Sequence, residues 1–164
     1  MPRTFQGTLV TPKGRFALCV TRFNAFITEE LLSGALDALV RHGVSEDDVD
    51  VYRVPGSLEL PQIVRRVVEG GRYAGVVALG AVIRGGTPHF EYVAGEVSRG
   101  IAQIALRAEC AVTFGVLTCD TLEQAIERAG TKSGNKGGDA AVACIELCNL
   151  LALIGTNGKA RAGR

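Results

Sequence analysis

The sequence has only two histidines, no C-x-x-C pair and no apolar run of membrane-spanning length. Each scarcity removes a class of function. His89-Phe90-Glu91 matches the H-x-E half of a zinc deaminase, but the P-C-x-x-C half is absent. Cys144 and Cys148 share a helix face at i, i+4 without histidine or acid partners nearby, so no metal site is expected. A G-x-x-x-x-G-K-[ST] loop is missing, which argues against a P-loop NTPase despite a Lys/Gly-rich tract at 130–138. No G-x-G-x-x-G follows the first apolar run, and no acidic pair stands there for a phospho-acceptor. The net charge of +1 is spread along the chain and makes no electrostatic case for nucleic acid. Residues 1–7 lack the apolar core of a signal peptide. The five cysteines lie mostly in apolar segments and read as reduced core thiols of a cytoplasmic protein.

What remains is 164 residues, 47% of them apolar, enough for one domain with a real core. Strand-like runs alternate with helical patterns. Phe16–Val20 is continuously apolar, as in a strand covered on both faces. A helix is expected after Thr28, with Leu31, Leu32, Ala35, Leu36 and Leu39 as its stripe and Gly43 beyond its end. Val49–Val54 reads as the second strand, and Ser57 as the cap of a helix running to Glu69. The third strand spans about Gly75 to Val82. A helix from His89 to Ala108 follows, with Val93, Val97, Ile101, Ile104 and Ala105 inward. Ala111–Leu117 is the fourth strand, and Thr121-Leu-Glu-Gln124 a capping box for a short helix. A connector at 130–138 leads to a last helix from Asp139 to Leu153. Residues 1–154 read as a single domain, and 155–164 as a flexible tail. The alternation argues for a parallel sheet with helices on both faces.

In such sheets ligands bind beyond the carboxyl ends of the strands. Three polar or glycine-rich stretches fall there: Arg22-Phe23-Asn24, Pro55-Gly56-Ser57-Leu58-Glu59, and Arg84 to His89. In the third, Pro88 suits the start of a helix, whose free N–H groups hold anions. His89 beside them moves protons near neutral pH. Together the stretches suit a polar ring-containing ligand and an anionic one.

Gly80-Ala-Val-Ile-Arg-Gly-Gly-Thr-Pro-His89, Arg22-Phe-Asn24, Val54-Pro-Gly-Ser-Leu-Glu-Leu-Pro61 and the tract from Gly115 through Glu123 to Gly137 resemble the lumazine synthase family in four motifs, in the right order, over nearly the whole chain. The resemblance implies a three-layer α/β/α, flavodoxin-like fold with a four-stranded parallel core sheet. An N-terminal arm around Phe5 to Leu9 would add a strand to a neighbouring subunit. It implies condensation of 5-amino-6-(D-ribitylamino)uracil with 3,4-dihydroxy-2-butanone 4-phosphate, without cofactor or metal. Phe23 would stack on the pyrimidine, and Asn24, Ser57 and Glu59, with Gly56 beside them, would hold the ribityl chain. Ala81, Val82 and Ile83 would line the ring site. Gly86 and Thr87 would bind phosphate, with Arg128 as cationic partner and Lys136 as a neighbouring basic residue. His89 would transfer a proton, and Phe114 would arrive from an adjacent subunit. Family members form pentamers, some of which close into 60-subunit icosahedral shells while others stop at pentamers or decamers. The short 130–138 connector resembles the shell-forming type.

Local readings compete with these roles. Ser57 and Glu59 also suit a helix cap and a first-turn acid. Arg128 also reads as a solvated helix arginine, Lys136 as a connector lysine, Phe23 and Phe114 as core aromatics, and Asn24 as a turn former. His42 reads as an exposed helix-end residue.

Overall fold

The computed structural model describes residues 1–162, with side chains through residue 155. Four parallel strands, β1 (Arg15–Thr21), β2 (Val49–Val54), β3 (Tyr73–Ile83) and β4 (Ala111–Cys119), form one sheet in the order β2-β1-β3-β4. Helices α1 (Ala25–Arg41), α4 (Leu122–Arg128) and α5 (Lys136–Ala162) cover one face, and α2 (Leu60–Glu69) and α3 (His89–Arg107) the other. This is the three-layer, flavodoxin-like arrangement.

Two cores result from the period-2 alternation of a strand. Phe16, Leu18 and Val20 of β1 point to the α1/α5 side, and Ala17 and Cys19 to the α2/α3 side. All five are fully buried, which explains why β1 reads as a continuous apolar run. β3 is the long central strand. It pairs with β1 from Tyr73 to Leu79 and with β4 from Gly75 to Ile83, so its last residues project beyond β1 while still held by β4.

Several boundaries differ from the sequence expectation. Helix α1 starts at Ala25, not after Thr28. Asn24 takes the left-handed conformation (φ 62°, ψ 42°), and its carbonyl accepts from Ile27 N and Thr28 N. Thr28 therefore lies one turn inside and is buried. Ser57 caps nothing: Ser57–Glu59 form a separate 3-10 turn ahead of α2, preceded by extended Gly56. Ala105 is exposed on α3, while Val97 and Ile101 carry its burial.

The Thr121 hydroxyl accepts from Gln124 N at 3.1 Å, as a capping box requires, but the Gln124 amide oxygen accepts from Asp120 N at 2.9 Å, one residue further back. The 130–138 connector holds a small hairpin, β5 (Ala129–Thr131) and β6 (Gly134–Asn135), and α5 begins at Lys136 rather than Asp139. Its backbone stays helical to Ala162, past the expected end at Leu153, and the tail's last two residues lie outside the described residues.

Residues Lys136–Gly155 of α5 are long and apolar enough to cross a membrane by length and composition, with mean hydropathy 1.6. Here Ala140, Ala141, Cys144, Ile145 and Cys148 are buried in the core beneath the sheet. The five cysteines are free thiols, four of them buried.

The N-terminal arm carries no strand in this single chain. Gly7 lies against the Glu146 backbone, and the Asn149 amide donates to the carbonyls of Thr8 and Val10, each at 2.7 Å.

Helices α1 and α5 cross at glycines. A Cβ on Gly137 would stand 2.1 Å from the Leu31 carbonyl oxygen, and the Asn135 amide fills the corresponding space over Gly34. Backbone oxygen cannot swing aside as a flexible side chain can. Gly137→Ala is therefore expected to destabilise the fold by about 1–3 kcal/mol through overpacking. Urea unfolding measures this, and an unchanged midpoint would show that the crossing has slack.

Candidate functional site

The carboxyl ends of β1, β2 and β3 feed three loops into one place. After β1, Arg22 N donates to Val54 O at 2.7 Å and Phe23 N to Pro55 O at 3.1 Å, extending the β1–β2 pairing past the strand ends. This zips the Arg22–Asn24 loop to the Pro55–Glu59 loop. Asn24 then reverses the chain, and its side-chain amide donates to Ala81 O on β3 at 2.9 Å. One residue thus makes the turn into α1 and ties the first loop to the projecting end of β3.

Ser57 also packs on that end. A Cβ on Gly80 would lie 3.2 Å from both Ser57 Oγ and Thr21 Oγ1, so glycine at this position lets Ser57 sit down on the strand. The Glu59 carboxylate folds back over Gly56, close to where a Cβ would be.

The result is a cleft of about 520 Å³. Ten of the expected residues line it: Phe23, Asn24, Gly56, Ser57, Glu59, Ala81, Val82, Ile83, Thr87 and His89. Phe23 is 71% exposed, an aromatic face held open to a ligand rather than packed into the core. Ala81 and Val82 are buried and present an apolar floor. Gly85 and Gly86 have open space where a Cβ would point, so backbone there is accessible to a ligand. Helix α3 begins at His89 with Pro88 as the residue before it, so the first N–H groups of the helix point toward this glycine loop.

Leu58, Gly85, Phe90 and Val93, to which the family resemblance assigned no individual role, also line the cleft. Phe90 and Val93 carried a signal: with Val97 they continue the apolar stripe of α3 up to the site.

Gly86 sits between two lining residues without being one itself, and three further expected residues are not brought into the cleft. Phe114 lies on the edge strand β4, on the α2/α3 side and 41% exposed. Arg128, at the end of α4, donates to Gln124 O at 3.0 Å. Its charge opposes the burial that pushes the Cys119 thiol up. Lys136 pairs with Asp139 at 3.2 Å in the first turn of α5. Among the described residues no group of three or more His, Cys, Asp or Glu is placed to hold a metal ion.

The family model described as 6,7-dimethyl-8-ribityllumazine synthase matches residues 13–152. The chain belongs to this family. A relative from Myxococcus xanthus (strain DK1622) bearing that name is 64% identical over 157 residues, covering 93% of this chain and 94% of the relative. Relatives of the same name from Anaeromyxobacter sp. (strain Fw109-5) and Anaeromyxobacter sp. (strain K) are each 62% identical, over 147 and 150 residues, covering 90% and 92% of this chain and 90% and 93% of theirs. All four motifs of the sequence reading fall inside the matched region, and three of them converge on the cleft of this family member.

Asn24 offers a direct check on how the cleft is built. Asn24→Ala removes the bond to Ala81 and leaves a Cβ-bearing residue in the left-handed region. It is expected to cost about 2 kcal/mol from the left-handed strain and the lost hydrogen bond together. Asn24→Gly loses only the bond and should recover roughly half of that. Chemical denaturation of both variants measures the difference. Equal stability of the two would mean that the backbone conformation carries no strain.

Proposed function

We propose that this chain is a transferase of riboflavin biosynthesis. It condenses 5-amino-6-(D-ribitylamino)uracil with 3,4-dihydroxy-2-butanone 4-phosphate to 6,7-dimethyl-8-ribityllumazine, releasing phosphate and water. One observation carries the site assignment: a single cleft joins an exposed aromatic ring, polar groups of two loops, an apolar floor and a glycine-rich helix start bearing a histidine.

The pyrimidine stacks on Phe23 above Ala81, Val82 and Ile83. Ribityl hydroxyls bond to Asn24, Ser57 and Glu59, whose carboxylate accepts from them. The phosphate of the second substrate rests on the Gly85–Thr87 loop and the N-terminus of α3, where N–H donors and the helix dipole favour an anion. Amine attack on the ketone gives an imine. A proton then leaves carbon as phosphate departs, and His89, at the first position of α3, moves it. Holding the two substrates in contact supplies much of the acceleration.

Arg128 and Lys136 lie outside the cleft of their own chain. The phosphate roles that the family resemblance implies for them therefore require a second copy to supply them, as does the role of Phe114. A pentamer, with active sites between neighbours, meets that need, and a 60-subunit shell of such pentamers is the larger assembly we favour. The exposed apolar residues Phe26, Tyr92, Leu106 and Phe114 support association. In that assembly the arm leaves its own α5 and pairs with a neighbour's sheet edge. We place the protein in the cytoplasm, consistent with its free thiols.

Mixing purified protein with both substrates, and following lumazine absorbance and phosphate release together, tests the proposal. Lumazine should form well above the spontaneous rate. His89→Ala should lower that rate by about 10-fold to 10²-fold, at or below the low end for general acid–base catalysis, because the departing phosphate competes for the proton. No acceleration by folded protein of pentameric or larger mass would contradict the assignment. An accelerated rate left unchanged in His89→Ala would remove His89 from the proton transfer, and ligand binding without acceleration by the wild type would leave a binding module instead.

A further inference from the structure

The cleft's anion loop has almost no packing of its own. Gly85 and Gly86 meet nothing where a side chain would be, Thr87 is exposed, and Pro88 makes no side-chain cap to α3. A loop so bare is positioned by its ends. One end is Ile83, held to Cys119 of β4. The residue that follows it, Arg84, makes four contacts in four directions.

Arg84 N donates to Cys119 O at 2.8 Å, adding one more bond to the β3–β4 pairing. Its Nε donates to Asp120 Oδ1 at 2.8 Å. Its Nη1 donates to the Glu91 carboxylate, in the first turn of α3. Its guanidinium carbon lies 4.4 Å from the centre of the Phe90 ring, a cation–π distance. Asp120 is itself fixed, because its backbone N–H donates to Gln124 in α4. Phe90 lines the cleft.

We infer that Arg84 is a positioning residue for the phosphate subsite. Its guanidinium spans the loop from outside, pinning the start of α3 to the end of β4 so that the Gly85–Thr87 backbone and the first N–H groups of α3 face one anion together. The inference rests on the proposed reaction for its substrate but not for its geometry. A planar fork is needed to serve two carboxylates and a ring face at once; a lysine ammonium matches the charge but not the directions. The pairs are all well exposed, with side-chain exposure of 41% for Arg84, 56% for Glu91 and 64% for Asp120. Such pairs contribute little to global stability, so the clamp acts on where the loop sits rather than on whether the chain folds. Displacing the anion donors by a fraction of an ångström is enough to weaken the bound geometry.

The test compares wild type with Arg84→Gln, Arg84→Lys, Asp120→Asn and the Arg84→Gln/Asp120→Asn pair, reading KM for each substrate separately, kcat and thermal midpoint. Arg84→Gln should raise KM for the dihydroxybutanone phosphate about tenfold. KM for the ribitylaminouracil should change less than about twofold and the midpoint fall by less than about 3 °C. Arg84→Lys should recover only part of the loss. Adding Asp120→Asn to Arg84→Gln should cost less than about twofold more, since both variants open the same clamp. Arg99→Gln, which breaks an exposed pair with Glu96 on the same helix, should leave both KM values unchanged. Equal rises in both KM values, full rescue by lysine, or additive losses in the pair would overturn the inference. If wild type forms no lumazine, the proposed reaction fails, and calorimetry with inorganic phosphate decides on the clamp. Binding about tenfold weaker in Arg84→Gln supports it, and equal or absent binding in wild type and variant overturns it.

Discussion

The parallel pairing of β3 between β1 and β4 is the constraint on which everything else depends. Because β3 outruns β1, its last residues, Gly80 to Ile83, are flanked on one side by β4 and on the other by loops. Those loops take up the hydrogen-bonding and steric room that β1 leaves. Asn24 bonds to Ala81 O, and Ser57 settles over Gly80. A one-residue slip of β3 would turn every side chain to the opposite face. Gly80 would no longer lie beneath Ser57, and the apolar floor of the cleft would be exchanged for a different set of side chains. Site and fold are therefore one construction.

Much of this was readable in the sequence, for identifiable reasons. β1 and β3 are covered on both faces, so they appear as unbroken apolar runs. The connections are short, so loops at the carboxyl ends must meet. Phe23, Asn24, Ser57, Glu59, Thr87 and His89 converge because each lies within a few residues of a strand end. Boundaries were less legible where a side chain acts at a distance. Thr28 followed by two glutamates has the local chemistry of a helix start, yet the helix starts at Ala25, because bonding to Ala81 stabilises a left-handed turn at Asn24 just before it. Residue 81 is 57 positions away, and no local pattern announces it. The same holds for Arg84, whose partner Asp120 is 36 positions away.

Phe114, Arg128 and Lys136 show another limit of reading along a chain. Phe114 lies within the edge strand β4, Arg128 ends α4 and Lys136 opens α5, and none of the three lines the cleft at the ends of β1, β2 and β3. The family resemblance assigns all three to the site, and it implies an adjacent subunit as the source only for Phe114. The fold of one chain brings Phe23, Asn24, Ser57, Glu59, Thr87 and His89 into a single cleft and leaves these three outside it.

The central claim is that the end of β3, with its three loops, holds a ring, a polyol chain and an anion at once. A crystal structure with an unreactive ribityl-pyrimidine analogue and inorganic phosphate tests this most directly. The account predicts the ring stacked on Phe23, the ribityl hydroxyls on Asn24, Ser57 and Glu59, and phosphate against the backbone of Gly85–Thr87 at the start of α3. A ring bound away from Phe23, or phosphate bound elsewhere while the α3 start stays empty, would contradict it.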